Sequence, residues 1–337
     1  MKKLSFKCSL LLLFVLFAAL SAQLSVRDYI DTGIRLHDAG KYQQAVDAYK
    51  KALEIDPKST DVNYEISFSY FKLGEYKKSI KHADIVIKQN KDHLAAAYIN
   101  KGSSLDNMGK VKSAIKVYEE GIRKTSNQQM LYYNLAITHY KAKNYEDSEK
   151  AVIQSIKRNP SHPSGHALLS NLQSLKGNDV KTIMASSYYL LLAPQSPVAP
   201  VSLNLIKELV EGKIIKDENT FTIQANGSDD EFDAVLLSMS LLKAFSSLDT
   251  TRLSMTEKEK FIQQTTTLFE IIGNLDRENK KGIWWELYAP FFGDLAETDF
   301  METFCNYISI SVDEEAKKWL KENEEKLKLF GKWADNR

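Results

Sequence analysis

The chain has 337 residues, of which 43% are hydrophobic and 26% charged, and its formal net charge is only +1. This near-equal number of positive and negative charges argues against a nucleic-acid partner, because binding a polyanion needs a basic surface. Two cysteines occur, Cys8 and Cys305, and only the second remains if the N-terminal segment is removed. Stability must then come from buried apolar area rather than from disulfides, and a chain of this length buries enough of it.

The N-terminal segment has the layout of a secretory signal peptide. Three lysines precede an apolar run from Leu10 to Leu20, and the small residues Ser21 and Ala22 follow it. A membrane-spanning helix needs about 20 apolar residues, which disfavours the alternative of an uncleaved anchor. We predict a cleaved signal peptide at residues 1–22, no stable membrane span, a mature net charge of −2, and a periplasmic, cell-envelope or secreted location.

A motif recurs along the first half of the chain. Its starting points are spaced by 34, 35, 34 and 34 residues and fall at Gly40, Gly74, Gly109, Lys143 and Gly177. A period of about 34 residues is typical of a helix–turn–helix repeat. Small residues stand where the two helices of each copy would cross, which lets the helix axes approach closely. These crossing residues are Gly33 and Ala45, Ser67 and Ser79, Gly102 and Ala114, Ala136 and Ser148, and Ser170 and Thr182.

The repeats resemble the tetratricopeptide repeat. The first copy is the best match, and the family's marked positions carry Tyr29, Gly33, Gly40, Tyr42, Ala45, Tyr49, Ala52 and Pro57. The resemblance covers five copies, at residues 26–59, 60–93, 95–128, 129–162 and 163–196. The fifth copy diverges most, as terminal repeats usually do. The predicted fold class is all-α, with a tetratricopeptide-like solenoid at residues 23–196.

A second, smaller helical domain is predicted at residues 197–337. Three prolines within residues 194–200 mark the boundary. Beyond it we expect several helices, a short extended piece around Thr220–Ala225, and a last helix from Asp313 to about Trp333. Aromatic residues are concentrated between Ile283 and Tyr307. They form either the core of a helical domain or an exposed platform for a sugar ring or peptide.

Sequence signatures of catalysis and of cofactor binding are missing. The chain has no glycine-rich phosphate loop, no Gly-x-Ser-x-Gly elbow and no His-Glu-x-x-His helix. His162 and His166 are four residues apart, but Pro163 and Gly165 lie between them and favour a turn, which would not hold the pair on one face. We therefore predict a protein that is not an enzyme, with no cofactor and no metal.

The resemblance also implies where a partner would bind. In such repeats the first helix of each pair lines the inner face of the curve. The implied groove residues are Tyr64, Phe68, Phe71, Ile99, Asn100, Tyr133, Asn134, Ile137 and Tyr140. The alternative is that neighbouring repeats or the second domain cover this surface.

Two features of these residues indicate what the groove would hold. Asn100 and Asn134 occupy equivalent places, and their amides could hold the backbone of an extended peptide. Family members that grip a terminal carboxylate use lysine and arginine here, whereas this chain has Ile, Tyr, Phe and Asn, so we do not expect that mode.

The predicted function is therefore an exported protein–protein interaction scaffold or adaptor that binds a peptide or protein segment in the groove. The alternative is a carbohydrate-binding or glycan-processing protein that contacts its glycan through the aromatic C-terminal module.

Overall fold

The computed structural model describes residues 25–126, 128–211, 214–217, 220–223, 232, 234–235, 237–239 and 255–337. The predicted signal peptide lies outside the described residues. Within them, no helix combines the length and the apolarity needed to cross a bilayer. The chain divides into two compact units, the first ending at Lys143 and the second running from Asn144 to Arg337.

The first unit is a series of helix pairs, each made of an A helix followed by a B helix. The A helices are α1 (Val26–Asp38), α3 (Thr60–Lys72), α5 (Leu94–Asn107) and α7 (Gln129–Lys141). The B helices are α2 (Tyr42–Ile55), α4 (Tyr76–Gln89) and α6 (Val111–Lys124). These bounds fall inside the repeats predicted from the sequence, except that α5 begins at Leu94, one residue before the predicted third repeat.

The ends of the A helices explain why the sequence motif begins where it does. Gly40, Gly74 and Gly109 follow α1, α3 and α5 with φ of 74°, 75° and 73°, a left-handed conformation that glycine adopts without steric cost. After α7 the same turn is made by Lys143, with φ 61°. At the other end of the unit, Ser25 and Asp28 form a capping box that starts α1.

The small crossing residues allow the A and B helices to pack closely. Gly33 lies against the ring of Tyr49, and Gly102 lies against the ring of Tyr118 in the same way. Both tyrosines are almost completely buried. A side chain at either glycine would therefore occupy space that an aromatic ring already fills.

Gly102→Ala is expected to lower the free energy of unfolding of the first unit by about 1–3 kcal/mol, the usual cost of overpacking. The added Cβ would lie 2.5 Å from Cε1 of Tyr118. Urea unfolding followed by far-UV circular dichroism measures the change. The matched control is Gly331→Ala in the last helix, where nothing lies within 4 Å of the added Cβ; that variant should gain about 0.5–1 kcal/mol. Equal stability of the two variants would contradict the crossing geometry.

The second unit is also helical. Its helices are α8 (Tyr145–Arg158), α9 (Pro163–Lys176), α10 (Asp179–Leu192), α11 (Ala199–Glu211), α12 (Glu257–Gly273), α13 (Ala289–Ala296), α14 (Met301–Ser309), α15 (Glu314–Glu322) and α16 (Glu324–Asp335). One turn of π-helix, Trp284–Tyr288, leads directly into α13. A small antiparallel hairpin, β1 (Ile214–Asp217) and β2 (Thr220–Ile223), pairs Ile214 with Ile223. Of the extended piece predicted at Thr220–Ala225, residues 220–223 are thus one strand of a pair, and 224–225 lie outside the described residues.

Two expectations for this unit need correction. The last helix does not run unbroken from Asp313, because Asn323 adopts φ −119° and ψ 37° between α15 and α16. The turn predicted between His162 and His166 does not form either. Helix α9 begins at Pro163, which suits the first helical turn because proline has no amide hydrogen to leave unpaired.

The fifth predicted repeat packs into the second unit. Its B helix, α10, is buried over most of its surface because it contacts α9, α11, α14 and the π-turn. The proline-containing segment after α10 is a turn between two packed helices. The compact units divide after Lys143, and the predicted domain boundary at residue 196 stays a prediction. The two helices of the fourth predicted repeat accordingly belong to different units.

Candidate functional site

The A helices of the first unit form one layer. Successive A helices contact each other more extensively than successive B helices do. Closer approach on the A side indicates that these helices line the inner side of the curve within the unit. The nine predicted groove residues all lie in this layer, on α3, α5 and α7.

Most of the predicted groove residues remain partly accessible. Eight of the nine are half-buried, and five of those eight are aromatic: Tyr64, Phe68, Phe71, Tyr133 and Tyr140. Burial by neighbouring repeats is therefore incomplete. Their role as a partner-binding surface stays a prediction.

Asn100 is the exception, and the predicted pair of asparagine amides does not form. It is 6% exposed, and its Nδ2 donates to Oγ of Ser67 at 3.4 Å. The residue lies where α5 packs on α3, so its amide is used inside the layer. Asn134 donates its Nδ2 to the carbonyl oxygen of Met130 at 2.8 Å, an intrahelical contact that leaves its side-chain oxygen for a partner.

A row of five rings crosses the first two repeats, and we call it the aromatic row. His37 contacts Tyr42 edge to face at 5.0 Å between ring centroids and stacks on Phe68 at 4.6 Å. Phe68 lies parallel to Tyr64 at 6.4 Å, and Tyr64 stacks on His93 at 4.4 Å. Each such contact stabilises the arrangement by about 0.5–1.5 kcal/mol beyond burial.

The sequence did not indicate two members of this row. Tyr42 begins a B helix, and His93 precedes α5 in a left-handed conformation with φ 62°. Residues other than glycine adopt that conformation uncommonly, and no local sequence pattern indicates it here. Its imidazole Nε2 also lies 3.2 Å from a carboxylate oxygen of Asp61.

Carboxylates surround the aromatic row. Glu65 follows Tyr64 on α3, is half-buried, and accepts a hydrogen bond from the Tyr49 hydroxyl at 3.3 Å. Burial raises the pKa of Glu65, and the nearby charges of Asp38 and Asp61 raise it further, against the opposing effects of Tyr49 and His93.

Cations in this layer are already engaged. Lys72 places its Nζ 5.2 Å from the centre of the Phe68 ring. Lys141 binds Asp106 at 2.8 Å between Nζ and Oδ2. That this surface does not bind a terminal carboxylate stays a prediction.

His166, singled out from the sequence for its spacing from His162, is committed to the interior of the second unit. Its Nε2 donates to the carbonyl oxygen of Pro160 at 2.7 Å, which leaves Nδ1 to accept from the Tyr288 hydroxyl at 2.6 Å. Both ring nitrogens are therefore in use. Across the described part of the chain, no cluster of three or more histidine, cysteine or acidic side chains could hold a metal ion.

The aromatic residues of the C-terminal part form a core. Tyr288, Phe292 and Phe304 are completely buried, and Trp284 is 8% exposed. Phe292 lies 4.4 Å from Phe269 between ring centroids. These side chains do not form an exposed platform for a sugar ring.

Two family models match the chain, one described as TPR repeat over residues 33–74 and one as tetratricopeptide repeat over residues 99–163. The matched segments carry the left-handed glycines and seven of the ten small crossing residues described above. These segments are tetratricopeptide repeats. Proteins built on such repeats are protein-interaction scaffolds.

Several known proteins are similar to this tetratricopeptide-repeat chain at low identity. A TPR repeat-containing protein of Methanocaldococcus jannaschii, MJ1428, is 23% identical over 140 residues, 39% of this chain and 25% of that protein. The Hsp70-Hsp90 organising protein of Plasmodium falciparum is 23% identical over 173 residues, 47% of this chain and 67% of that one. The chain thus spans a quarter of the archaeal protein's length.

The chain is also similar to solved structures at low identity. Pseudomonas aeruginosa PilF is 18% identical, with a TM-score of 0.49 over 71% of this chain and 97% of its own. The Thermus thermophilus protein TTC0263 is 14% identical, with a TM-score of 0.47 over 54% of this chain and 99% of its own.

Proposed function

We propose that this protein is an exported adaptor without catalytic activity, and that it binds an extended apolar or aromatic segment of a partner protein on the A-helix layer of the first unit. Export is inferred from the order of residues in segment 1–22. The binding mode is inferred from the chemistry of the layer.

The observation that carries the proposal is the half-exposed aromatic surface of α3 and α7. Tyr64, Phe68, Tyr133 and Tyr140 keep part of their rings accessible although their neighbours are packed. Aromatic side chains held in fixed positions lose little entropy on binding and bury a large apolar area, which is why they dominate the energetics of interfaces.

Replacing Tyr64, Phe68, Tyr133 and Tyr140 together by Ala is expected to weaken partner binding by at least about a hundredfold, since interface aromatics often contribute about 2 kcal/mol each. The measurement uses the mature chain as bait for an extract of its own cell envelope, with quantitative mass spectrometry of the retained proteins.

The matched control removes exposed apolar side chains elsewhere in the same unit. Ile55 and Leu73 are 45% and 36% exposed, and neither belongs to the predicted groove. Their double Ala variant should retain the partner. Retention by both variants, each folded by circular dichroism, would rule out the A-helix layer as the binding surface.

A further inference from the structure

The charges beside the aromatic row indicate which partner segment this surface fits. We propose that the bound segment carries an arginine next to its apolar residues, and that Glu65 receives the guanidinium. This inference rests on the proposed function, since it concerns the same layer of A helices.

Glu65 is a half-buried acidic group of this layer with unused acceptor capacity. Its one side-chain hydrogen bond in the described structure comes from the neutral hydroxyl of Tyr49, a residue that is itself fully buried. Among the described residues, no lysine, arginine or histidine lies within ion-pair distance of Glu65. Asp106, which is also on an A helix, is paired with Lys141 at 2.8 Å.

The Glu65 carboxylate has lost part of its contact with water. Among the described residues, no cation at ion-pair distance offsets that loss. A carboxylate has room for about four hydrogen bonds, so the Tyr49 contact leaves most of its acceptor capacity unused. Asp38 and Asp61 strengthen the negative potential at the same place. A cation from a partner would relieve this arrangement, while an acidic segment would be repelled.

The shape of the carboxylate favours arginine over lysine. A guanidinium is planar and donates two parallel hydrogen bonds to a carboxylate, whereas an ammonium group is a compact, strongly hydrated charge. The neighbouring rings are already used within the chain, since Tyr64 stacks on His93 and Phe68 stacks on His37. They supply apolar contact beside Glu65 for the rest of the segment.

The test uses the full mature chain and a set of synthetic nonapeptides with a Leu/Tyr background and one variable central residue. The central residue is Arg, its neutral analogue citrulline, Lys or Glu. Fluorescence anisotropy is expected to show the Arg peptides binding about tenfold tighter than the citrulline peptides, the size of one charge pair at a partly desolvated site. Lys peptides should fall between the two.

Three variants that each remove one negative charge locate the effect. Glu65→Gln keeps an acceptor for the Tyr49 hydroxyl and should reduce the Arg preference to within about twofold. Glu119→Gln removes an exposed carboxylate from a B helix of the same unit and should leave the preference intact. Asp38→Asn, at an exposed position, should weaken the preference partially, and it tests the same field if Glu65→Gln fails to fold.

The outcomes separate this inference from the proposed function. Tight binding of the peptides with no preference for Arg over citrulline, or a preference that survives in Glu65→Gln, overturns the assignment of Glu65 and leaves the groove in place. Absence of binding by every peptide overturns both.

Discussion

Phe292→Ala is expected to lower the free energy of unfolding of the second unit by about 3–5 kcal/mol, the usual cost of deleting a buried aromatic ring. Phe292 is completely buried. Its ring centroid lies 4.4 Å from that of Phe269, 5.2 Å from Phe291 and 6.2 Å from Phe304. The cavity would be surrounded by rings that cannot all move into it, because each also packs against other neighbours.

Intrinsic fluorescence makes this measurement specific to one unit. All four tryptophans lie between residues 284 and 333, so their emission during urea unfolding reports the second unit alone. The comparison variant is Phe300→Ala, because Phe300 belongs to the same cluster but is only half-buried. It should cost about half as much, in proportion to the apolar area it buries.

The result decides between the two interpretations that the aromatic-rich segment allowed. A core predicts a large loss of stability at Phe292. A platform for a ligand predicts variants that stay stable and lose only binding. A cost below about 1 kcal/mol for Phe292→Ala would contradict the core and would reopen the platform interpretation.

The helix pairs could be predicted because their determinants are local. Gly33 and Gly102 mark crossings, while Gly40, Gly74 and Gly109 mark left-handed turns, and each requirement is met by a single residue at a fixed offset from the helix it serves. The repeated positions of these glycines therefore predict both the length of each helix and the residue at which it ends.

The arrangement of the second unit could not be predicted in the same way. His166 and Tyr288 are 122 residues apart, and their hydrogen bond depends on how α9 and the π-turn pack together. The π-turn has no sequence signature, and the burial of α10 depends on helices that follow it. The proline segment marks a turn, but it carries no information about which helices meet beyond it.

The candidate site was predicted only in part for a related reason. The inner positions of the repeat identify Tyr64 and Phe68, but the contributions of Tyr42 and His93 come from neighbouring elements. Asn100 occupies an inner position and is nevertheless buried, because Ser67 is small enough to let α5 approach α3 and accepts its amide.

Lowering the pH from 7 to 4 is expected to remove about 3 kcal/mol of stability from the second unit through His166 alone. Burial lowers the pKa of His166 from 6.5 to about 4. Between pH 6.5 and pH 4, His166 therefore binds a proton in the unfolded chain but not in the folded chain. The stabilisation is complete above pH 6.5 and is lost as the pH falls towards 4, by about 1.4 kcal/mol for each pH unit.

The geometry around His166 explains why the imidazole stays neutral in the folded protein. Nε2 already donates to the Pro160 carbonyl, and Nδ1 accepts from the Tyr288 hydroxyl in a site that water does not reach. A proton on Nδ1 would place a charge in this interior and would require the hydroxyl to turn away. Neither Tyr288 nor Tyr188, which stacks on His166, supplies a negative charge to stabilise it.

Tryptophan fluorescence during urea unfolding at successive pH values measures this loss, and two variants assign it. His166→Gln should be less stable than the parent at pH 7, but its stability should change much less between pH 6.5 and 5. His162→Gln should keep most of the slope, because His162 is less buried than His166. Burial lowers the pKa of His162 too, so its smaller contribution to the pH dependence has the same sign. Carboxylates held in ion pairs, such as Glu286 with Lys157, act mainly below pH 4.5, since pairing lowers their pKa. A steep slope above pH 5 that persists in His166→Gln would therefore show that the buried imidazole is not its source.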